Sequence, residues 1–319
     1  KGMKKRICSI FLLLTLLLAL LPLQANAVTA GMVALDMQEI SRTEYQISKD
    51  VKEYEWLLNN GSLTKQMVGH VMEVKVGEDS TATLAAGYSD YNIGDIKNNQ
   101  WAMVKTTEQA QAMETRRKVN VVGAINGGGF DMSNGRPSGA LVLDGTVIQS
   151  ANSTTFWVDK ENVAHITDGT EYTQAVADGC VSEAISSFGD ILSDGKAYTG
   201  LDNSTRASRT AVGIKQDGSV VLFMVDGRQS PYSAGMTMAE LAAAMEELGC
   251  ERAINLDGGG SSTFATQREG DVVSEVDPNG KSAGLTLRCR PSDGYERRVS
   301  NTLMVLSSAK ATGEFDHAV

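Results

Sequence analysis

Short apolar segments separated by glycine turns dominate the chain from Val68 onward. The segment GALVLDGTVI has apolar residues on both sides of Asp144-Gly145, a dipeptide that favours a two-residue hairpin turn. The longer segment RTAVGIKQDGSVVLFMVDGRQ repeats this arrangement around Asp217-Gly218. Because apolar residues occupy both faces of the longer segment, the pattern predicts a hairpin in the middle of a sheet.

The stretch at residues 33–60 has helical spacing instead. Its apolar residues follow one another at intervals of four, three and four, which places them on one face of a helix. They are Ile47, Val51, Tyr54 and Leu58. The spacing predicts an N-terminal helical segment over residues 28–65, which packs on the rest of the protein or acts as a spacer from the cell surface.

Two further helices are predicted inside the strand-rich region. One is TTEQAQAMETRR, and the other begins at Thr237, which forms a capping box with Glu240, and ends before Gly249. Strands still outnumber helices. The pattern therefore predicts an α+β fold, with mixed β-sheets flanked by helices, in a single domain over residues 66–310 that is followed by a tail at 311–319.

The first 27 residues have the pattern of an export signal. Four basic residues precede an apolar run from Ile7 to Leu21, and a small-x-small cleavage pattern ends at Ala27. The apolar run is shorter than a bilayer-spanning helix. The pattern predicts a secreted or cell-surface protein with no membrane insertion after signal cleavage.

Charge and cysteine content restrict the partners and the redox chemistry. Removing the four positive charges of the signal from a chain of net charge −10 leaves −14. Such an acidic protein is not expected to bind nucleic acid or anionic membranes, although local arginines can still hold an anionic substrate. The three cysteines after the signal are too few for a disulfide scaffold, but they are compatible with one disulfide bond and one free thiol. They are Cys180, Cys250 and Cys289.

The second hairpin brings opposite charges together. If its turn has two residues, Arg209 lies opposite Asp226, and both side chains project from one face of the sheet. Arg228 and Gln229 follow directly. A structural ion pair that closes the sheet end and a functional site are both compatible with this arrangement.

The sequence AINLDGGGSS at residues 253–262 places a carboxylate beside a bare backbone. Asn255 and Asp257 are two residues apart and share a strand face. The glycines allow positive φ and close approach to a ligand. Backbone N–H groups and hydroxyls then become donors to an anion or to sugar oxygens, from Gly258, Gly259, Ser261 and Ser262. A tight turn between two sheets is the alternative explanation.

A near copy, AINGGG at residues 124–129, lacks the aspartate. It is expected to supply Asn126 and bare backbone to the same pocket. Several standard sites are absent: the pattern G-x-S-x-G and a P-loop do not occur, and no histidine stands near these motifs in the sequence. Because none of the three histidines stands near these motifs in the sequence, Ser-His triads and the usual zinc sites are excluded.

Carboxylates, arginines, amides and backbone donors remain. This set suits a glycoside or a phosphate ester, since arginine binds phosphate with two N–H groups and carboxylates serve an oxocarbenium-like centre. The sequence indicates no definite cofactor, although the carboxylates of Asp226 and Asp257 are suitable ligands for Ca²⁺.

Four segments together resemble the phosphodiester glycosidase family. Three further segments, INGGGFD, GALVLDG and ISSFGDILSDG, match the family more weakly. All seven segments occur in the order that the family has them, over residues 68–308. The four segments are RASRTAVG (206–213), VDGRQ (225–229), SAGMTMAELAAAMEELGCERAINLDGGGSST (233–263) and RPSDGYERRVSN (290–301).

The resemblance implies a hydrolase that cleaves the anomeric bond of a sugar-1-phosphodiester and releases the sugar and a phosphomonoester. The substrate would be similar to an N-acetylglucosamine-1-phosphodiester, or would be a phosphorylated cell-wall or exopolysaccharide glycan. The resemblance also implies that five residues meet in one pocket: Asn126, Arg209, Asp226, Asn255 and Asp257.

Roles follow from that chemistry. Asp257 or Asp226 is expected to face the anomeric carbon as nucleophile or base, and Arg209 with Arg228 to bind the phosphate. The two asparagines and the turn at 258–263 would hold sugar hydroxyls and phosphate oxygens. Two alternatives stay open: a non-catalytic glycan-binding protein of the cell envelope, and a metal-dependent phosphodiesterase that cuts the P–O bond.

Overall fold

The computed structural model leaves the predicted export signal and the predicted tail outside the described residues. None of the helices in the described part has the length and apolar composition that a membrane crossing requires. The described residues are 30–62, 65–89, 101–186, 188–268, 271 and 284–308.

Twenty strands and four α-helices form in these ranges. The helices are α1 (Ala30–Ala34), α2 (Thr106–Arg117), α3 (Gly169–Ala177) and α4 (Met238–Glu247). The strands are β1 (Met37–Ser48), β2 (Val51–Asn60), β3 (Met67–Val74), β4 (Ala82–Tyr88), β5 (Val104–Lys105), β6 (Asn120–Asn126), β7 (Leu141–Leu143), β8 (Thr146–Gln149), β9 (Thr155–Asp159), β10 (Ala164–Thr167), β11 (Val181–Ser186), β12 (Gly189–Ser193), β13 (Lys196–Ala197), β14 (Arg209–Lys215), β15 (Val220–Val225), β16 (Cys250–Asn255), β17 (Phe264–Thr266), β18 (Thr286–Leu287), β19 (Arg298–Val299) and β20 (Asn301–Ser307).

The strands form three main sheets. The large sheet has the order β1-β2-β3-β15-β14-β16-β12-β13, the β6 sheet has the order β18-β17-β6-β20-β4, and the β9 sheet has the order β10-β9-β11-β7-β8. Strands β19 and β5 pair separately.

All strand pairs among the described residues are antiparallel, so the predicted mixed sheets are not observed. Hairpins and short loops join most strands, whereas parallel neighbours need long crossover connections. The fold is accordingly richer in strand than the predicted α+β class implies.

One hydrophobic core lies between the three sheets. Leu222 of the large sheet, Phe264 of the β6 sheet and Phe156 of the β9 sheet are buried within it. Burying a side chain of this size stabilises the fold by about 1.5–3 kcal/mol.

A helix covers the outer face of each sheet. Helices α1 and α4 pack on the large sheet, α2 packs on the β6 sheet, and α3 places Tyr172 against the β9 sheet. The sheets are therefore enclosed on both faces, which fixes the position of the loops that connect them.

The N-terminal segment forms a β-hairpin, and the predicted helix over 33–60 is wrong. Only Ala30–Ala34 is helical, and β2 pairs along its length with β3 in the large sheet. Buried side chains in the second half of β2 alternate with a period of two, at Tyr54, Trp56 and Leu58. A short apolar pattern fits both periods, and the pairing with β3 decides between them.

The turn of the first hairpin and the cap of helix α4 are confirmed. Asp144 (φ 51°) and Gly145 (φ 71°) both adopt the left-handed conformation that a two-residue hairpin turn requires. Helix α4 has the predicted capping box between Thr237 and Glu240, and Gly249 follows its end with φ 78°.

The second hairpin forms, but its register differs by one residue from the prediction. Its loop spans residues 216–218 and ends in Gly218 with φ 84°, so it has three residues instead of two. Arg209 consequently lies opposite Val225. Because a shift of one residue exchanges the two faces of a strand, Arg209 and Asp226 project from opposite faces, and the predicted pair does not form.

The three cysteines after the predicted signal are free thiols. Cys180 is exposed, whereas Cys250 and Cys289 are buried. Burial raises the pKa of each buried thiol to about 12, so both remain protonated and unreactive at neutral pH.

Candidate active site

Asp257 lies two residues after the end of β16, where the large sheet meets the β6 sheet. The N–H of Leu256 donates to the Thr210 oxygen in β14 at 2.8 Å. The N–H of Asp257 donates to the oxygen of Gly127, just after β6, at 3.1 Å. Hydrogen bonds to both sheets therefore hold the aspartate in place.

The carboxyl group of Asp257 is partly buried and has a raised pKa. Burial raises the pKa because it disfavours the charged form, while Ser261, the Gly258 N–H and the charge of Arg297 each lower it. The Gly258 N–H donates to Oδ1 of Asp257 at 2.8 Å. A carboxyl group with a raised pKa is a candidate for proton transfer or nucleophilic attack.

The glycines after Asp257 allow arginine side chains to approach the backbone. They lead into a single 3-10 turn at Gly259–Ser261. A methyl group on Gly259 would lie 3.1 Å from Nη1 of Arg228, and one on Gly260 would lie 2.1 Å from Nη2 of Arg297. Gly259 also has a φ of 62°, which disfavours any side chain. Bare backbone thus brings two guanidinium groups beside the aspartate.

Arg209 approaches the same turn from β14. Its Cδ lies 3.9 Å from the position of a methyl group on Gly258, and its Nε donates to the Met236 oxygen at 3.2 Å. Burial lowers the pKa of Arg209, and the neighbouring charge of Arg228 lowers it further. The guanidinium groups of Arg209, Arg228 and Arg297 together form what we call the arginine rim, a donor set suited to phosphate.

Asn126, the last residue of β6, is fully buried and holds the turn. Its Oδ1 accepts hydrogen bonds from Oγ1 of Thr210 at 2.8 Å and from the N–H of Thr263 at 3.0 Å. Its Nδ2 donates to the backbone oxygen of Asp257 at 2.7 Å. The amide group is thus engaged within the protein, on both sides of the turn that presents Asp257.

Asp226 is fully buried in a closed hydrogen-bonded cluster. Its Oδ2 accepts from the Tyr232 hydroxyl at 2.8 Å and lies 3.1 Å from Nε2 of His70, while its Oδ1 accepts from the Arg290 N–H at 2.9 Å. The expectation that no histidine lies near the motifs is wrong here, because β3 pairs with β15 and brings His70 beside Asp226.

The other predicted binding side chains differ in how they are bonded. Nε2 of Gln229 donates to the Arg290 oxygen at 2.7 Å, and Oγ of Ser262 lies 3.1 Å from Oγ1 of Thr210. Asn255 is buried, and its Oδ1 has no hydrogen-bond partner in the described part of the chain. Asn255 therefore offers an unused buried acceptor.

The first glycine triplet, at 127–129, has a different role from the second. A methyl group on Gly127 would lie 2.1 Å from Oδ1 of Asn301, and one on Gly129 would lie 2.2 Å from Cζ of Phe188. These glycines make room for protein side chains. The expectation that they present bare backbone to the pocket stays a prediction.

No metal site is evident in the described residues. They contain no group of three or more His, Cys, Asp or Glu side chains that could hold an ion. Both carboxylate oxygens of Asp226 lie against protein donors. The two aspartates considered for Ca²⁺ therefore do not form a ligand set here.

Sequence reasoning missed several residues around these groups. Arg297 bonds to Asp293 at 2.6 Å, and its Nη1 lies 3.4 Å from Oγ of Ser261. His70 and Tyr232 complete the cluster around Asp226. The arginine belongs to the family-like segment RPSDGYERRVSN, whereas nothing local marks His70, which lies 156 residues before Asp226.

The fold and the site define a β-rich domain in which Asp257 precedes a glycine turn that the arginine rim contacts, with Asp293 paired to Arg297 at the same turn. The model of the phosphodiester glycosidase family matches residues 119–306, and the chain belongs to that family. Family membership supports a glycosidase-type, hydrolytic function.

The chain is also similar in sequence to individual proteins. The chain is 29% identical over 213 residues to the SPbeta prophage-derived protein YomE of Bacillus subtilis (strain 168), covering 63% of this chain and 30% of YomE. It is 28% identical over 165 residues to mouse N-acetylglucosamine-1-phosphodiester alpha-N-acetylglucosaminidase, covering 44% of this chain and 31% of the enzyme. The matches thus span about a third of the length of these curated relatives.

A solved structure shares the fold. It is the catalytic domain of zebrafish N-acetylglucosamine-1-phosphodiester alpha-N-acetylglucosaminidase, auto-inhibited by its pro-peptide. The TM-score is 0.58 at 21% identity, over 83% of this chain and 88% of that chain. The likeness confirms the β-rich architecture.

Proposed function

We propose that this protein hydrolyses the anomeric bond of a sugar-1-phosphodiester outside the cytoplasm. Its substrate class is an N-acetylglucosamine-1-phosphodiester or a phosphorylated glycan of the cell wall or exopolysaccharide. The observation that supports this most directly is the position of Asp257 beside a turn that Arg228 and Arg297 contact. The export signal pattern supports the location, and the mouse relative's name supports the bond type.

The arginine rim suits the leaving phosphate. A phosphodiester carries one negative charge, and charge builds on the bridging oxygen as the anomeric C–O bond breaks. Fixed guanidinium groups stabilise that developing charge without reorganising during the reaction. The electron pair of the C–O bond passes to the phosphate, and water supplies the new oxygen of the sugar.

Asp257 is the acid we assign to the anomeric centre. A phosphomonoester leaves readily, so Asp257 acts in its ionised form, as the nucleophile or as the base that takes a proton from water. Asp226 has no exposed surface and cannot face a substrate in this arrangement. We therefore propose that Asp226 and Asn126 are positioning residues, and that Asp257 is the catalytic residue.

The first test compares Asp257→Asn with the wild type on the methyl diester of N-acetylglucosamine 1-phosphate. We expect kcat to fall by about 10³-fold or more, because the charge that acts at the anomeric carbon is lost. The thermal midpoint should stay the same. Asp217→Asn, at an exposed hairpin loop, is the matched control and should keep full activity.

The pH profile of the wild type adds a second readout. Because burial raises the pKa of Asp257, activity should fall on acidification through a pKa above the usual aspartate value. An unchanged kcat in folded Asp257→Asn contradicts the assignment.

Isotopically labelled water separates the alternatives. Label in the released sugar supports C–O cleavage, whereas label in the phosphate means a phosphodiesterase that cuts the P–O bond. Saturable binding with no release of reducing sugar means a glycan-binding protein. Each of the last two outcomes overturns the proposed function.

A further inference from the structure

We propose that Phe188 is the aromatic platform on which the sugar ring of the substrate stacks, with Asn255 as a hydrogen-bond acceptor beside it. This inference rests on the proposed function, because it identifies where the sugar half of the phosphodiester binds. Phe188 lies in the family-like segment ISSFGDILSDG, in which the sequence alone assigns no residue a role.

The backbone places Phe188 next to the candidate active site. Its N–H donates to the backbone oxygen of Asn255 at 2.9 Å, and the next residue, Gly189, pairs with Asn255 across β12 and β16. Asn255 stands two residues before Asp257. The aromatic residue is thus hydrogen-bonded to the strand that ends at the candidate catalytic carboxylate.

The Phe188 ring lies against bare backbone at Gly129. A methyl group there would lie 2.2 Å from Cζ and 2.4 Å from Cε2 of the ring. The oxygen of Gly127, two residues earlier, accepts the N–H of Asp257 at 3.1 Å. Since two residues of extended chain span roughly 7 Å, the ring and the backbone of Asp257 lie at the two ends of one short segment.

The ring is nonetheless exposed to solvent. Phe188 is 59% exposed, although it is a large apolar side chain. Contact with Gly129 supports part of the ring and leaves a surface open to a ligand. The axial C–H groups of a pyranose form an apolar, slightly positive face, which complements the negative face of an aromatic ring.

Asn255, whose backbone oxygen accepts the N–H of Phe188, provides an independent sign of a ligand. The residue is 8% exposed, and its Oδ1 has no hydrogen-bond partner among the described residues. An unpartnered buried oxygen costs about 1–3 kcal/mol unless a donor reaches it. A sugar hydroxyl or acetamido N–H is such a donor, so the aromatic ring and the acceptor together specify a sugar ring.

The test substitutes Phe188 with Ala, Leu and Trp in the full chain. With the methyl diester of N-acetylglucosamine 1-phosphate, Phe188→Ala should raise KM about tenfold and leave kcat within about twofold of wild type. Leu keeps apolar surface without a flat face and should resemble Ala. Trp should restore wild-type KM.

The matched control is Tyr198→Ala, which removes another exposed aromatic side chain, 44% exposed, after β13. Its KM should equal that of the wild type. If Phe188→Ala also has the wild-type KM, the inference is overturned, because stacking would then contribute nothing to binding.

A binding measurement separates this inference from the proposed function. In Phe188→Trp, free N-acetylglucosamine should change the tryptophan fluorescence saturably, and Phe188→Ala should bind the sugar about tenfold more weakly by calorimetry. Sugar binding that depends on residue 188 without any hydrolysis supports the inference and overturns the proposed function. Hydrolysis by the wild type together with unchanged sugar affinity in Phe188→Ala supports the proposed function and overturns the inference.

Discussion

At the scale of single residues, two aspartates with the same local sequence differ in their surroundings. Each of Asp226 and Asp257 stands between the last apolar residue of a buried segment and a glycine. Asp226 meets three protein groups and has no exposed surface, whereas Asp257 is partly exposed beside the arginine rim. Surroundings, and not local sequence, are therefore the basis for proposing Asp226 as a positioning residue and Asp257 as the catalytic one.

This difference predicts opposite effects of the same substitution. Asp226→Asn places an amide against groups that donate hydrogen bonds, so it should lower the free energy of unfolding by about 2–4 kcal/mol. Asp257→Asn should leave it nearly unchanged. Urea unfolding of both variants measures the effect. An Asp226→Asn variant as stable as the wild type would contradict this prediction.

At the scale of elements, the two glycine triplets show how backbone without side chains is used for packing. The first triplet accommodates Asn301 and Phe188, and the second accommodates the guanidinium groups of Arg228 and Arg297. In each triplet the strand ends in a turn that another element approaches closely. The side chains that approach the turn decide whether it is lined by amide and aromatic groups or by guanidinium groups.

The second triplet predicts a clear double-mutant cycle. In Gly260→Ala the added methyl group would lie 2.1 Å from Nη2 of Arg297, so the guanidinium group must move away from the turn. We expect KM for the phosphodiester to rise about tenfold, as in Arg297→Ala. The double variant should be no worse than either single variant. Additive effects would mean that Gly260 acts independently of Arg297.

At the scale of the whole molecule, Glu183 links two sheets through a buried carboxyl group. From β11 its Oε2 accepts the N–H of Ala86 in β4 at 3.1 Å, and its Oε1 lies 3.3 Å from Nη1 of Arg117. Burial raises its pKa to about 7, and the charge of Arg117 opposes this only in part. Ionisation of Glu183 is therefore unfavourable in the folded protein.

The raised pKa predicts a loss of stability with rising pH. The unfolded chain releases this proton near the ordinary glutamate pKa, and the folded protein releases it near pH 7. The protonated carboxyl group therefore makes its full contribution to the free energy of unfolding below the ordinary glutamate pKa. This contribution is lost as the pH rises through 7. The loss should reach about 3 kcal/mol. Urea midpoints at about pH 5 and about pH 8 measure it.

Glu183→Gln should remove most of this dependence, because glutamine does not ionise and still accepts from Ala86. Glu251→Gln, at an exposed position, is the control and should retain the wild-type dependence. Equal pH dependence in wild type and Glu183→Gln would mean that Glu183 is not the group that titrates.

The sequence by itself determined the features that arise from neighbouring residues. The Asp144-Gly145 turn, the capped helix α4 and the glycine turn after Asp257 were all predictable, because backbone preference and short-range hydrogen bonds set them. The choice of arginines and carboxylates as the candidate chemistry also came from the sequence, since other site types lack their required residues.

Only the tertiary structure decided which of these residues meet. It turned the predicted N-terminal helix into two strands, shifted Arg209 away from Asp226, and brought His70 to Asp226 and Arg297 to the turn after Asp257. Strand pairing joins residues far apart in the chain, and one residue of loop length exchanges the faces of a strand. The energy of those long-range contacts is absent from any short segment, so the site had to be located in the folded molecule.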